Sequence, residues 1–434
     1  MLLTKETQLN LFSGKMKKNQ EAEILVYADW YMFNQPKSVG KLCFSSLRGK
    51  AVYSFEYEKE WLKTGISIDP ELPLYSGKQF ASSNDNFGVF KDSSPDRWGQ
   101  LLMKRREVLL AKIEKREPHQ LFGIDFLMGV HDSHRMGGLR FKETENGYFL
   151  SNDARLSSPP FTSLRDLEYA VEQYEKNADE LNDASLKWIN QLIAPGSSLG
   201  GARPKADVAD KEGKQWIAKF PSQKDDSDIG LWEMLVHELA RQAGITVPNA
   251  SVRKLGSPYH TYLSQRFDRS ENNKRIHYAS AMTLLQKKDG DDADSGVSYL
   301  NLVYFIKSDC ADAKSDLEEL FRRVLFSVCV SNTDDHLRNH GFLFTEAGWI
   351  LAPAFDINAN ETGTGLKLNI DEHDNSLDID LVMRTASFYL LSHERALEIK
   401  EAVIKAVADW KIVAAKYKIP PSEIERKSRA FRIV

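Results

Sequence analysis

The chain is poor in cysteine, with three in 434 residues. Cys43, Cys310 and Cys329 have neither metal nor redox spacing, and an odd count suits no disulfide framework, so a reducing compartment is expected. Long apolar runs are missing too: no stretch approaches the length that crosses a bilayer. The opening Met1-Leu2-Leu3-Thr4-Lys5-Glu6 has polar and charged residues where a signal peptide needs an apolar stretch. The expectation is a cytoplasmic protein with no membrane association. Nor is there an excess of one charge. The 58 Lys and Arg against 62 Asp and Glu leave −4, which argues against autonomous nucleic-acid binding. The basic stretch at 425–432 reads as a solvated helix end. Metal-site patterns fail as well. Lys287 to Asp294 gathers acids around Gly290, but the glycine is misplaced for an EF-hand and no Glu closes the loop. His336 and His340 lack a third zinc ligand, and His131 with His134 fails similarly.

What is present is 42% hydrophobic residues, enough to fill the cores of two or three domains. After a polar lead-in, strand-like text with turn signals runs from Ile24 to about Phe55 and predicts an antiparallel sheet. Ser94-Pro95-Asp96 opens a helix towards Lys115, with Pro95 where its missing N–H costs nothing. A Ser/Pro-rich connection at 151–165 separates domains, and 168–190 has a helical pattern. The loop from Ala194 to Lys205 carries three glycines, which let backbone N–H groups approach a phosphate; it has no Walker spacing and reads equally as a plain flexible loop.

A hairpin follows, with strands 206–209 and 215–220, and puts Lys219 inside an apolar strand. The next helix is capped by Ser227 or Asp228 and ended by Gly244, and it offers Glu233 and Glu238 as partners for that lysine. The strand at 261–267 stands where a nucleotide kinase has its hinge. Ser315-x-x-Glu318 reads as a capping box before a buried helix that delivers the chain to Asn332-Thr333-Asp334. A second hairpin, 341–344 with 349–351, then leads to Phe355-Asp356, and 387–414 is helical again.

Asp334 and Asn339 stand five residues apart, as the base and a metal-holding Asn do in a kinase catalytic loop, and Asp356 follows the hairpin. Phosphoryl transfer asks for a carboxylate facing the acceptor hydroxyl and oxygen ligands for Mg²⁺. Asp334 fits the first role, Asn339 and Asp356 the second. Asp-x₄-Asn alone is weak, because both residues favour turns. The order of glycine loop, strand lysine, helix glutamate, hinge, Asp-x₄-Asn and second Asp is what strengthens it.

In that order the chain resembles the HipA-like serine/threonine kinases, toxin components of toxin–antitoxin modules. Thr333-Asp334-Asp335-His336-Leu337-Arg338-Asn339 looks like the family's Thr-Asp-Gly-His-x-x-Asn loop, and Phe355-Asp356-Ile357 like its metal-binding motif. Ser198 to Lys205 resembles its phosphate loop and Arg266-Phe267-Asp268-Arg269 its hinge motif. Phe87-Gly88 to Trp98-Gly99 and Arg135-Met136-Gly137-Gly138-Leu139 are similar to its N-terminal domain. Asp335 departs from the usual glycine: a second acid there would raise its neighbour's pKa or help bind metal. Arg203-Pro204 is stiffer than is typical of the loop.

The resemblance implies an α+β, two-lobed protein-kinase-like fold with an N-terminal α/β domain and a mostly helical C-terminal lobe. The domains would span 1–155 and 156–434, with the lobe boundary near 270. It implies ATP and Mg²⁺, Asp334 as base, and Asn339 and Asp356 at the metal. Nucleotide contacts are expected from Gly200, Gly201, Ala202, Arg203, Lys205, Lys219, Glu233, Gln265, Phe267 and His336. Ser198, or its neighbour Ser197, would be autophosphorylated and switch the enzyme off, since a phosphate there adds charge beside the triphosphate. The acceptor would be a protein serine, with an aminoacyl-tRNA synthetase as the target the resemblance suggests. A helix-turn-helix antitoxin would be the partner, with DNA reached only through it. Two other classes stay open: a catalytically silent antitoxin-binding co-repressor, and a small-molecule kinase on the same scaffold.

Overall fold

A computed structural model describes residues 20–47, 49–151, 158–177, 180, 182–193, 201 and 203–433. Strands β1 (Gln20–Ala28), β2 (Lys37–Leu47), β3 (Lys50–Tyr57), β4 (Gln79–Phe80) and β5 (Leu139–Lys142) form an antiparallel sheet in the order β4-β3-β2-β1-β5. Strand β3 shows why. Ala51, Tyr53, Phe55 and Tyr57 recur at period two and bury one face, where they meet Val26, Leu42, Trp61 and Phe90 in a common core.

Helix α1 (Arg97–Ile113) starts where Asp96 accepts a hydrogen bond from the Gly99 N–H at 2.8 Å. Its Trp98, Leu102 and Leu109 pack with Leu164, Val171 and Leu192, and with Val208 and Phe220 of the following sheet. The N-terminal region therefore shares a core with the lobe behind it. The helix expected over 168–190 is two helices, α2 (Leu164–Lys176) and α3 (Asp183–Ile193). Side-chain competition explains the break: Asn177 turns its amide back to the Gln173 carbonyl, and Asn182 accepts from the Ser185 N–H and starts a new helix.

The next sheet joins β6 (Lys205–Ala209), β7 (Gln215–Lys219), β8 (Ala250–Lys254) and β9 (His260–Gln265) in the order β6-β7-β9-β8, with α4 (Ile229–Gln242) packed on it. Asp228 is the cap of α4, its carboxylate accepting from Leu231 N–H. A three-stranded sheet of β10 (His277–Ser280), β11 (Gly341–Thr345) and β12 (Gly348–Leu351) follows. Helices α5 (Tyr299–Asp309), α6 (Ala313–Cys329) and α7 (His393–Ala408) build the C-terminal lobe around the largest core. The cap of α6 differs from the expected box: Asp312 accepts from Ser315 N–H, and Ser315 lies inside the helix.

The N-terminal sheet docks on the rest through buried charge. Arg266, 3% exposed, donates to the carbonyls of His134 and Arg135 and to Asp268, which in turn accepts from Gly137 N–H at 2.7 Å. Gly137 has φ 75°, and a Cβ there would lie 2.9 Å from Tyr278 N, so the contact demands glycine. Asp92 accepts from both the N–H and the hydroxyl of Ser280. The C-terminal stretch is a helix end solvated only in part: Arg426, Arg429 and Arg432 are exposed, while Lys427, Ala430 and Phe431 are buried. Phe431 stacks on Trp410 at 4.2 Å, and Lys427 is buried against Glu361 at 2.6 Å. Apolar burial of the one and pairing of the other outweigh the solvation of a short basic run.

Candidate functional site

Strand β7 ends on Lys219, opposite Tyr262 of β9, with its side chain 11% exposed. It lies 2.5 Å from Glu233 on α4 and 2.5 Å from Asp356. Burial alone would lower the lysine's pKa, but the two carboxylates outweigh it and hold it well above the ordinary value. Burial would raise Asp356, yet Lys219 and Lys205 hold it far below the usual carboxylate range. Glu233 is pushed up, because burial and the Asp356 charge exceed what Lys219 returns. Asp356 has φ 58°, a left-handed conformation that Asp tolerates better than most residues. Of the two helix glutamates, Glu233 meets the lysine; Glu238 pairs with Lys416 at 2.7 Å and Tyr417 at 2.6 Å.

Asp334 is exposed at the mouth of the loop. Its carbonyl accepts from the Asn339 side-chain amide at 3.1 Å, which leaves the Asn339 side-chain oxygen for other partners. Asp335 points the other way, into the core, and accepts from Tyr299 hydroxyl at 2.6 Å. Its pKa is lowered: burial would raise it, but His340 and Tyr299 prevail, so Asp335 does not show the rise expected beside a second acid. Asparagines outside the motifs stitch the two loops together. Asn332 accepts from Asn358 N–H at 3.2 Å, Asn360 donates to Thr333 hydroxyl at 2.7 Å, and Asn358 donates to Asp356 at 3.3 Å. Sequence reasoning passed over them; the run Asp356-Ile357-Asn358-Ala359-Asn360 was the available signal.

Gly200, Ala202, Ser197 and Ser198 lie outside the described residues. Arg203 makes a two-point pair with Asp225 at 3.0 and 2.6 Å. Lys205, 1% exposed, points to Asp96 at 3.0 Å and to the Gly201 carbonyl at 3.1 Å. It therefore ties α1 to the glycine loop. An open cleft is lined by Lys219, Glu233, Asp356 and apolar groups including Ile217, Tyr262 and Phe355. Gln265 and Phe267 also line it, and Phe267 packs on Phe355 at 5.3 Å between ring centres. The N–H groups of Gln265 and Arg266 are engaged by the carbonyls of Asn249 and Gln215, so a hinge contact falls to the remaining backbone groups there. His336 is half-buried. Among the described residues no three His, Cys, Asp or Glu side chains cluster as a metal site.

This architecture is the two-lobed, protein-kinase-like α+β fold with an N-terminal α/β domain. The HipA-like C-terminal domain model matches residues 197–411 and the HipA N-terminal domain model residues 31–124. The chain belongs to the HipA-like family. It is similar to HipA of the Shewanella oneidensis toxin–antitoxin system, solved with HipB and its operator DNA. That match has a TM-score of 0.62 at 17% identity and covers 91% of this chain and 92% of that one. The Helicobacter pylori proinflammatory kinase CtkA matches over 50% of this chain and 92% of its own, at 13% identity and a TM-score of 0.34, too slight to argue from. A Haemophilus influenzae protein named "Putative kinase" is 28% identical over 180 residues, 37% of this chain. The chain spans about half the length of that relative, 52% of it.

Proposed function

We propose that this protein is an ATP-dependent serine/threonine protein kinase acting as the toxin of a toxin–antitoxin module. The observation that carries the reading is Lys219 held between Glu233 and Asp356 on the wall of an open, largely apolar cleft. The phosphates of ATP would displace Asp356 from Lys219, while Glu233 keeps the ammonium in place. The apolar wall of Ile217, Tyr262 and Phe355 would take the adenine.

The donor set fits Mg²⁺, a hard cation that takes oxygen ligands. Asp356 is held anionic, and the Asn339 amide spends its nitrogen on Asp334 and keeps its oxygen. Bound to these two residues, Mg²⁺ would neutralise charge on the phosphates. Asp334 accepts the proton of the acceptor hydroxyl as that oxygen bonds to the γ-phosphorus and the bond to the β-phosphate oxygen breaks, releasing ADP. Mouth exposure leaves room there for a protein side chain.

Self-inactivation through phosphate on Ser198, with Ser197 as its neighbour, belongs to the same reading. So do a helix-turn-helix antitoxin partner, DNA reached through it, and the division at 155/156. The HipB and operator DNA in the Shewanella structure support the partner. The experiment is incubation of purified protein with ATP and Mg²⁺, followed by phosphopeptide mapping. Phosphate on Ser197 or Ser198 supports a protein-serine acceptor. An active protein that labels only small molecules contradicts it.

A further inference from the structure

Asp335 stands where the family pattern has glycine, and its carboxylate is fully enclosed. One oxygen accepts from the Tyr299 hydroxyl of α5 at 2.6 Å and, more distantly, from the Ser327 hydroxyl of α6 at 3.3 Å. The other lies 3.0 Å from His340 Nε2, at the end of the catalytic loop. Groups on three separate elements thus fix a single carboxylate. The same loop is held a second time, because the Asp334 carbonyl accepts from the Asn339 amide at 3.1 Å and from His336 N–H at 2.9 Å. Asp334 sits between these anchors. With its carbonyl tied down and the next residue drawn inward, its side chain is the one turned to solvent.

We propose that Asp335, Tyr299 and His340 form a positioning cluster that sets the direction of the Asp334 carboxylate towards the acceptor hydroxyl. The inference rests on the kinase reading above. It makes a separable claim, because none of the three lines the nucleotide cleft. A lone buried acid is costly to desolvate, so a carboxylate in place of a small residue is tolerated only when its partners are built around it. Those partners lie 36 residues upstream and five residues downstream in the sequence, and the fold brings them together here.

The test compares wild type with Tyr299→Phe, which removes one hydroxyl, and with Asp335→Asn, which keeps the shape and one acceptor oxygen. Because small misplacements of a catalytic group are costly, Tyr299→Phe is expected to lower kcat about tenfold, with nucleotide affinity within about twofold of wild type. Asp335→Asn should fall between the two, since it retains an acceptor for Tyr299. Unchanged kcat in both folded variants overturns the proposal. So does a kcat loss matched by equal loss of nucleotide affinity, or failure of both variants to fold, because either marks a general structural role. A wild type that binds nucleotide and transfers nothing overturns the kinase reading instead, and the positioning role falls with it.

Discussion

Lys219 is the residue on which the site turns, and its two carboxylates have different uses. Glu233 is buried on a helix and would orient the ammonium, whereas Asp356 lines the cleft, where under the proposed function a phosphate would replace it. Glu233→Gln should therefore cut phosphotransfer by about one to two orders of magnitude, chiefly through weaker nucleotide binding, as loss of an organised charge contact does. Glu238→Gln should leave turnover within about twofold, since neither it nor its partners Lys416 and Tyr417 line the cleft. Steady-state kinetics on both variants decide it; equal losses would contradict the assignment. Glu233 and Glu238 differ little as letters in the sequence. What separates them is helix phase relative to β7, which depends on how the whole sheet packs.

Among the elements, the catalytic loop is the least self-sufficient. Its entry is clamped by the C-terminus: Ser331 hydroxyl donates to the Ala430 carbonyl at 2.8 Å and Arg432 N–H to the Cys329 carbonyl at 2.7 Å. Phe431 anchors that segment by stacking on Trp410. Phe431→Ala should cost about 3 kcal/mol in denaturant unfolding, the usual scale for a buried phenylalanine. Turnover should fall as well, because the loop loses its clamp. A stable variant with normal turnover would show that the clamp is incidental. None of this was legible in the sequence, where 425–432 is merely basic. Motifs recur at fixed spacing, so Asp334, Asn339 and Asp356 can be proposed as site residues from the sequence alone. The clamp joins positions about a hundred residues apart, and no local pattern records it. The start of α6 is a smaller case: the Ser315 box is the expected start, and the helix begins three residues earlier, capped by Asp312.

At the scale of the molecule, the N-terminal sheet and the catalytic lobes meet through groups that tolerate little change. His277 is fully buried at that junction and stacks on Trp30 at 4.6 Å; burial pushes its pKa down to about 3. Its unfolded value is about 6.5, so between these limits the unfolded chain binds more protons and stability falls as pH falls. The slope from this residue is about 1.4 kcal/mol per pH unit below pH 6.5. His277→Phe should flatten the decline in unfolding free energy between neutral and mildly acidic pH, and an unaltered profile would contradict the assignment. Strands and most helices at this scale could be anticipated from periodicity. The sharing of α1 between the N-terminal region and the next lobe could not, since an amphipathic helix does not announce which sheet it will cover. Uniting the scales is the proposal that Asp334 acts on ATP bound in the cleft of Lys219, Glu233 and Asp356, a cleft it does not itself line. Phosphoryl transfer from γ-labelled ATP, measured together with nucleotide affinity in wild type and Asp334→Asn, tests this most directly. The account predicts transfer by wild type, none by the variant, and equal nucleotide affinity in both; wild-type turnover by Asp334→Asn would contradict it.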